Sequence, residues 1–269
     1  IGFILILSHI VSKYAEAEQY LASTYKNEFI LILKMTLFLI PLIYFTKEFP
    51  DMGSLLVYLF IYFSILITST IRMRTVLIVL TPVIFIILLC LVMYLINPDF
   101  FFHKIIGSLP DYQAQRFYGW LDAEEYTNSL GYQLQNALTV IGSGEFSGKE
   151  ISNISIPYAY SDFVFTVIAG SYGFIGASIL ILIFFLIIHR IVIITLKYHD
   201  LYGQMIGVGI IGMIAYQLIQ NVGMTIGLLP ITGLSLPFIS YGGSSLMVNM
   251  IAIGLILNLN IHARKFMFS

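Results

Sequence analysis

The sequence predicts an all-α, polytopic transmembrane helix bundle. Of its 269 residues, 59% are hydrophobic and only 10% are charged. The mean hydropathy is +0.93, and apolar runs approaching the length of a bilayer span recur along the chain. A soluble domain carries about 25% charged residues, so this chain cannot cover its apolar surface in water. No alternating barrel pattern occurs. A chain crossing lipid must satisfy its backbone internally, which leaves helices.

Seven apolar segments are read as helices: Ile1–Ser12, Phe29–Thr46, Ser54–Ser69, Val76–Ile96, Phe163–Ile188, Tyr202–Leu229 and Pro237–Ile261. A span needs about 20 residues, so the first is short and the third marginal. Ile1 opens directly into the first run without a Met or a basic segment before it, as expected of a chain lacking its N-terminal part. Pro82 is read as an early, tolerated proline of its helix.

The remaining long segment, Asn97–Ser161, has 65 residues and holds the only tryptophan, Trp120. Structureless loops of that length are uncommon, so it is expected to be folded or functional. Within it, Ser129–Ile141 places Leu134, Leu138 and Ile141 at i, i+4 and i+7, with Gln133, Gln135 and Asn136 off that stripe. This predicts a short amphipathic helix on the membrane surface or capping the bundle. Gly142, Gly144 and Gly148 mark turns after it.

Charge sets the orientation. Eight of the 13 basic residues fall in one alternate set of connections: Lys13, Lys26, Arg72, Arg74, Arg190, Lys197, Arg264 and Lys265. Lys34 lies near that side, and Lys47, Lys104, Arg116 and Lys149 fall in the other set. The first set and the C-terminus are therefore expected inside, and Asn97–Ser161 outside. The net charge of −1 offers no basic field for nucleic acid. The single cysteine, Cys90, lies in an apolar run and excludes an internal disulfide.

Few residues can carry chemistry. Asp162 stands where the long outer segment meets the next helix. A carboxylate there can serve as a general base, and it can equally be an N-cap favoured by the helix dipole. Asp51, in Pro50-Asp51-Met52-Gly53, has the same two readings. Arg116 and Lys149 could hold a phosphate oxygen or be ordinary surface charges. Gln133 could donate to a sugar or phosphate oxygen or simply face solvent. No metal-ligand spacing, nucleophile elbow or phosphate loop occurs, and the five histidines are dispersed.

The run Leu229-Pro230-Ile231-Thr232-Gly233-Leu234-Ser235-Leu236-Pro237-Phe238-Ile239-Ser240-Tyr241-Gly242-Gly243-Ser244-Ser245 is the most distinctive. Small residues there permit close helix approach, and hydroxyls can bond across helices. This run resembles the signature of the SEDS family, the FtsW/RodA/SpoVE group. Asn221-Val222-Gly223, Gly131-Tyr132-Gln133, Ile141-Gly142-Ser143-Gly144, Pro50-Asp51-Met52-Gly53 and Arg116 before Leu121-Asp122 are similar to family segments. Ser161-Asp162-Phe163-Val164-Phe165 resembles the segment whose Asp is the family's proposed catalytic carboxylate. Four places depart from the pattern: Ala123, Glu145-Phe146-Ser147-Gly148, Pro157-Tyr158-Ala159-Tyr160 and Gly170-Ser171. The last two remove acidic groups.

The resemblance covers nearly the whole chain as one transmembrane domain, residues 1–269. It implies ten helices, of which the first three would be missing here. It also implies polymerisation of lipid II, an undecaprenyl-pyrophosphate disaccharide-peptide, into glycan strands outside the bacterial cytoplasmic membrane, beside a class B penicillin-binding protein. The resemblance carries Asp162 as the catalytic base. It carries Arg116, Lys149, Gln133, Asp51, Ser240 and Ser244 as substrate-binding candidates. No resident cofactor is implied, with a divalent cation, Mg or Mn, as a candidate. A lipid-precursor transporter and a catalytically degenerate scaffold are the alternatives.

Overall fold

A computed structural model describes residues 1–18, 25–48, 51–122, 130–149 and 159–266. Ser129, Ala123 and the Pro157-Tyr158 departure lie outside the described residues. All seven expected apolar segments are helical: α1 (Gly2–Glu18), α2 (Tyr25–Glu48), α3 (Met52–Thr68), α4 (Met73–Ile96), α8 (Val164–Lys197), α9 (Leu201–Thr225) and α10 (Gly243–Phe266). Five of these, α2, α4, α8, α9 and α10, are long and apolar enough to cross a membrane, while α3 is shorter at 17 residues. Large apolar side chains such as Ile84, Phe85, Leu95, Phe174 and Phe185 face outward. In water that exposure would be costly; in lipid it is the solvated state.

The described residues of the long segment 97–161 are largely helical. Pro98–Phe100 (α5) continues through a π turn and a 3-10 turn to Ser108, and α6 (Asp111–Leu121) and α7 (Leu130–Ser143) follow. The amphipathic reading of Ser129–Ile141 is α7, whose Leu134, Ala137 and Val140 are buried. Leu138, assigned to the apolar stripe, is instead exposed. The i, i+3 and i+6 positions carry the packed face, a different strip of the same helix.

Three boundaries change. α9 stops at Thr225, and α10 does not begin until Gly243, so the hydrophobic stretch between them is non-helical. Pro237, read as a helix start, instead enters a turn: Ser240 Oγ accepts from the Leu236 N–H at 2.7 Å, and Phe238 adopts φ +65°. Pro82 lies in the interior of α4, not its first turn.

The chain packs as two compact units. One comprises residues 1–71, 178–219 and 234–269; the other comprises 72–177 and 220–233. The first is a helical core in which Ile4, Leu7, Ile65, Leu66, Ile210 and Ile214 are buried. Gly209 lets α9 approach Ile4 and Ile65, where a Cβ would come within 2.7 Å of the Ile4 side chain. Gly207 similarly meets Thr195 of α8. The small-residue positions at Gly203 and Gly207 are therefore packing contacts. The second unit holds Asp162.

Candidate functional site

The α8 helix departs from regular geometry at Gly173, which has φ 65° and ψ −164°. That break frees backbone N–H groups that must find other acceptors. The turn after α7 supplies them. Glu145 O accepts from the Phe174 N–H at 2.9 Å, and Phe146 O accepts from the Ile175 N–H at 3.2 Å. In return, the Lys149 N–H donates to Gly170 O at 3.0 Å. A Cβ on Gly148 would lie 2.0 Å from Ser171 O, and one on Gly144 would lie 2.4 Å from Ala169 O. Backbone thus packs directly on backbone here, and only glycine fits. Two departures from the family pattern, Glu145–Gly148 and Gly170-Ser171, are the two sides of this contact.

The start of α8 is held from the other direction. Phe163 is 1% exposed and clusters with Leu134, Ala137 and Val140 of α7, with Met224 and with Ile231. Trp120 packs against the same cluster, and its indole N–H donates to Gly227 O at 2.8 Å. This places α6, α7, the first turn of α8 and the end of α9 around one core.

The segment after α9 is fixed by side chains that donate to its carbonyls. Arg116, on α6, donates through Nη1 to Thr232 O at 2.6 Å and to Ile231 O at 3.3 Å. Gln220 Nε2 donates to Pro230 O at 2.8 Å. Asn221 Nδ2 donates to the backbone carbonyl of Asp162 at 2.8 Å. The carbonyls of Gly227, Pro230, Ile231 and Thr232 in this non-helical stretch are thus bound by side chains of the same unit.

Asp162 sits where these contacts converge. The first helical residue of α8 is Val164, so Phe163 occupies the cap position and Asp162 precedes it. Phe163 O accepts from the Thr166 N–H at 3.0 Å, as the carbonyl at a cap position does, and Asp162 stands one residue before that position. Burial pushes the Asp162 carboxyl above the ordinary carboxylate range; a hydrogen bond from Ser161 and the Arg116 charge pull partly the other way. Gly233, at φ +71°, faces this carboxylate: a Cβ there would lie 3.2 Å from Asp162 Oδ2. Glycine thereby keeps space open beside the oxygen and allows the left-handed backbone.

The other candidates divide. Arg116 is in the Asp162 neighbourhood, with one nitrogen committed to the 231–232 carbonyls. Gln133 is half-buried on α7, next to Leu134 of the shared cluster. Lys149 lies on the turn after α7 and pairs with Glu145, both side chains being largely exposed. Asp51, Ser240 and Ser244 belong to the other unit. Asp51 caps α3, accepting from the Ser54 N–H at 3.0 Å and the Ser54 hydroxyl at 2.5 Å. Ser240 closes its turn through Leu236 N–H, and Ser244 is exposed at the start of α10. Three positioning groups escaped the sequence reading as site residues: Trp120, Gln220 and Gly233. A lone Trp in a polar segment and a Gly after Pro230 were their available signals.

The FtsW/RodA/SpoVE cell cycle protein model matches residues 1–265. The stage V sporulation protein E of Bacillus subtilis is 36% identical over 168 residues, covering 61% of this chain and 46% of that protein. A probable peptidoglycan glycosyltransferase FtsW of Trichlorobacter lovleyi is 32% identical over 154 residues, covering 55% of this chain and 40% of that protein. A chain in a solved peptidoglycan synthase complex, described as coordinating polymerization and crosslinking, superposes with a TM-score of 0.70 at 27% identity. That match covers 98% of this chain and 68% of the other. The chain spans about half the length of the curated relatives it matches. Its sequence signature, its helical architecture and a match along nearly its entire length place this chain in the FtsW/RodA/SpoVE family of cell cycle proteins.

Proposed function

We propose that this chain carries the polymerising site of a peptidoglycan glycosyltransferase. Its substrate is lipid II, and it works at the outer face of the bacterial cytoplasmic membrane, with the C-terminus inside. The observation that supports this reading is the Asp162 carboxylate, half-buried, one residue before the α8 cap position, and flanked by a glycine that leaves room beside it. Relatives named as peptidoglycan glycosyltransferases supply the reaction class.

Asp162 takes the proton of the acceptor sugar hydroxyl as that oxygen attacks the donor's anomeric carbon. A new glycosidic C–O bond forms as the bond from anomeric carbon to phosphate oxygen breaks, and the lipid pyrophosphate leaves with the electron pair. A carboxyl with a raised pKa is a stronger base once ionised, which suits this step. Arg116 places positive charge near the carboxylate and holds the 231–232 backbone; its remaining N–H groups are available to the leaving pyrophosphate. Gln133 and Lys149 are assigned to substrate contacts farther along the same unit. Asp51, Ser240 and Ser244 are assigned to substrate only where their local bonds can be exchanged.

Among the described residues, no three His, Cys, Asp or Glu side chains cluster to hold a metal ion. A Mg or Mn ion is proposed as a counter-ion of the substrate pyrophosphate. A class B penicillin-binding protein, implied by the family resemblance, is the proposed partner; the similar solved complex is described as coordinating polymerization with crosslinking.

The test is extension of purified lipid II by the whole protein with its partner. Asp162→Asn is expected to lower polymerisation by about 100-fold or more while the protein still purifies folded. Undiminished polymerisation by that variant would remove Asp162 as the base. Normal growth supported by the variant in cells would favour the scaffold.

A further inference from the structure

A cavity lies between α1 and α2, in the unit that does not contain Asp162. Its volume is about 360 Å³. His9, Lys13 and Tyr14 line it from α1, and Asn27, Ile30 and Lys34 line it from α2. On α1 these positions are spaced i, i+4 and i+5; on α2 they are i, i+3 and i+7. Each set is one face of its helix. Among the described residues, no Asp or Glu lines the cavity. Glu28, adjacent in sequence, is fully buried, and Glu16 lines a different pocket.

Lys34 is the informative residue. It lies within the apolar span Tyr25–Thr46, more than two helical turns from the start of α2. A lysine inside a span is costly unless its ammonium reaches an anion or the interface. Phe29, Leu33 and Leu37 of the same helix are exposed and face the hydrocarbon. The cavity therefore opens among side chains suited to lipid, with two ammonium groups, an amide and a phenol in its lining. By the charge bias of the connections, it lies on the inner side of the membrane.

We propose that this cavity binds the phosphate headgroup of an anionic membrane phospholipid. Lys13 and Lys34 neutralise the phosphodiester, Asn27 and Tyr14 donate hydrogen bonds to it, and Ile30 seats the first carbons of an acyl chain. The lipid surroundings and the depth of Lys34 favour a membrane lipid over a soluble anion. The site is independent of the catalytic reading, because it uses none of the same residues.

The whole protein would be purified in nanodiscs of mixed phosphatidylglycerol and phosphatidylcholine, and its retained lipids counted by native mass spectrometry. Wild type is expected to retain phosphatidylglycerol preferentially. The double variant Lys13→Gln, Lys34→Gln should lose that preference by about tenfold or more, each lysine near the surface contributing about fivefold. Lys197→Gln, an exposed lysine at the end of α8, should leave it unchanged. An unaltered preference in the double variant would overturn the site, as would an equal loss in Lys197→Gln. Displacement of the lipid by excess inorganic phosphate at constant ionic strength would also overturn it, by making the ligand a soluble anion. If the double variant does not fold, a photoreactive phosphatidylglycerol should crosslink wild type on α1 or α2; adducts confined elsewhere would overturn the proposal.

Discussion

Asp51 and Asp162 look alike in the sequence. Each precedes an apolar helix, and each follows a stretch carrying turn residues. In the structure they have different occupations. Asp51 accepts from both the N–H and the hydroxyl of Ser54, which uses its carboxylate to start α3. Asp162 lends its backbone carbonyl to Asn221 and takes a side-chain hydrogen bond from its neighbour Ser161, while the cap position passes to Phe163. Its carboxylate remains beside Gly233, with burial raising its pKa. A carboxylate that stabilises a helix and one held ready for chemistry differ in where their hydrogen bonds go.

The contrast can be broken by exchange. Asp162→Asn should abolish lipid II polymerisation, by about 100-fold or more, whereas Asp51→Asn should leave the rate within about threefold because an amide oxygen still caps a helix. Equal losses from both would erase the distinction. Next in size is Gly233→Ala. It adds a methyl group 3.2 Å from the Asp162 oxygen at a φ of +71°, and the rate should fall about tenfold through displacement of the carboxylate or its substrate. A full rate would show that the open space is not used.

Stability should divide the same two residues with the opposite sign. Asp51→Ala removes a cap and should cost about 1 kcal/mol, read as a lower melting temperature of the purified protein. For Asp162, the folded-state pKa lies above the ordinary value. The folded state therefore binds its proton more tightly, and stability falls as pH rises through the raised pKa. At pH 7 the ionised carboxylate is thus a burden, and Asp162→Asn should melt at the same temperature as wild type or slightly higher. A marked drop would assign Asp162 to structure. The smallest expected effect is Asn221→Asp. It replaces the donor to the Asp162 carbonyl with an acceptor, and should lower the rate several-fold through position alone, with the acidic limb of the pH profile moved upward by the added negative charge.

Much of the fold was legible because lipid imposes a simple requirement. Hydropathy alone located all seven apolar helices, and the spacing of Leu134 found α7. Hydropathy failed between Thr225 and Gly243, where Leu236, Phe238 and Ile239 are apolar but the chain is turned by Pro237, by Phe238 in a left-handed conformation and by the Ser240 hydroxyl. An apolar side chain reports burial, not backbone hydrogen bonding. Hydropathy does not mark α6, because its aromatic and polar residues form no clean stripe; Pro110 followed by Asp111 is the local sign of its start.

The site was legible only in part, for a related reason. Asp162 stood out by place and resemblance. That Arg116 spends one nitrogen on the carbonyls of Ile231 and Thr232 requires a contact across more than a hundred residues, which no local pattern announces. The pairing of Gly144 and Gly148 with Gly170 and Gly173 is equally non-local. Read singly, these glycines mark turns; together they repair the break in α8 at Gly173.

The most direct test of Asp162 as the base is the pH dependence of lipid II polymerisation by the whole protein. The rate should rise with pH on an acidic limb whose midpoint lies above the ordinary carboxylate range, because the ionised form is the active one and burial raises its pKa. Asp162→Glu should keep such a limb at a reduced rate, and Asp162→Asn should lose it together with activity. A wild-type rate that stays flat through the acidic range, or an Asp162→Asn variant with the wild-type profile, would contradict the account.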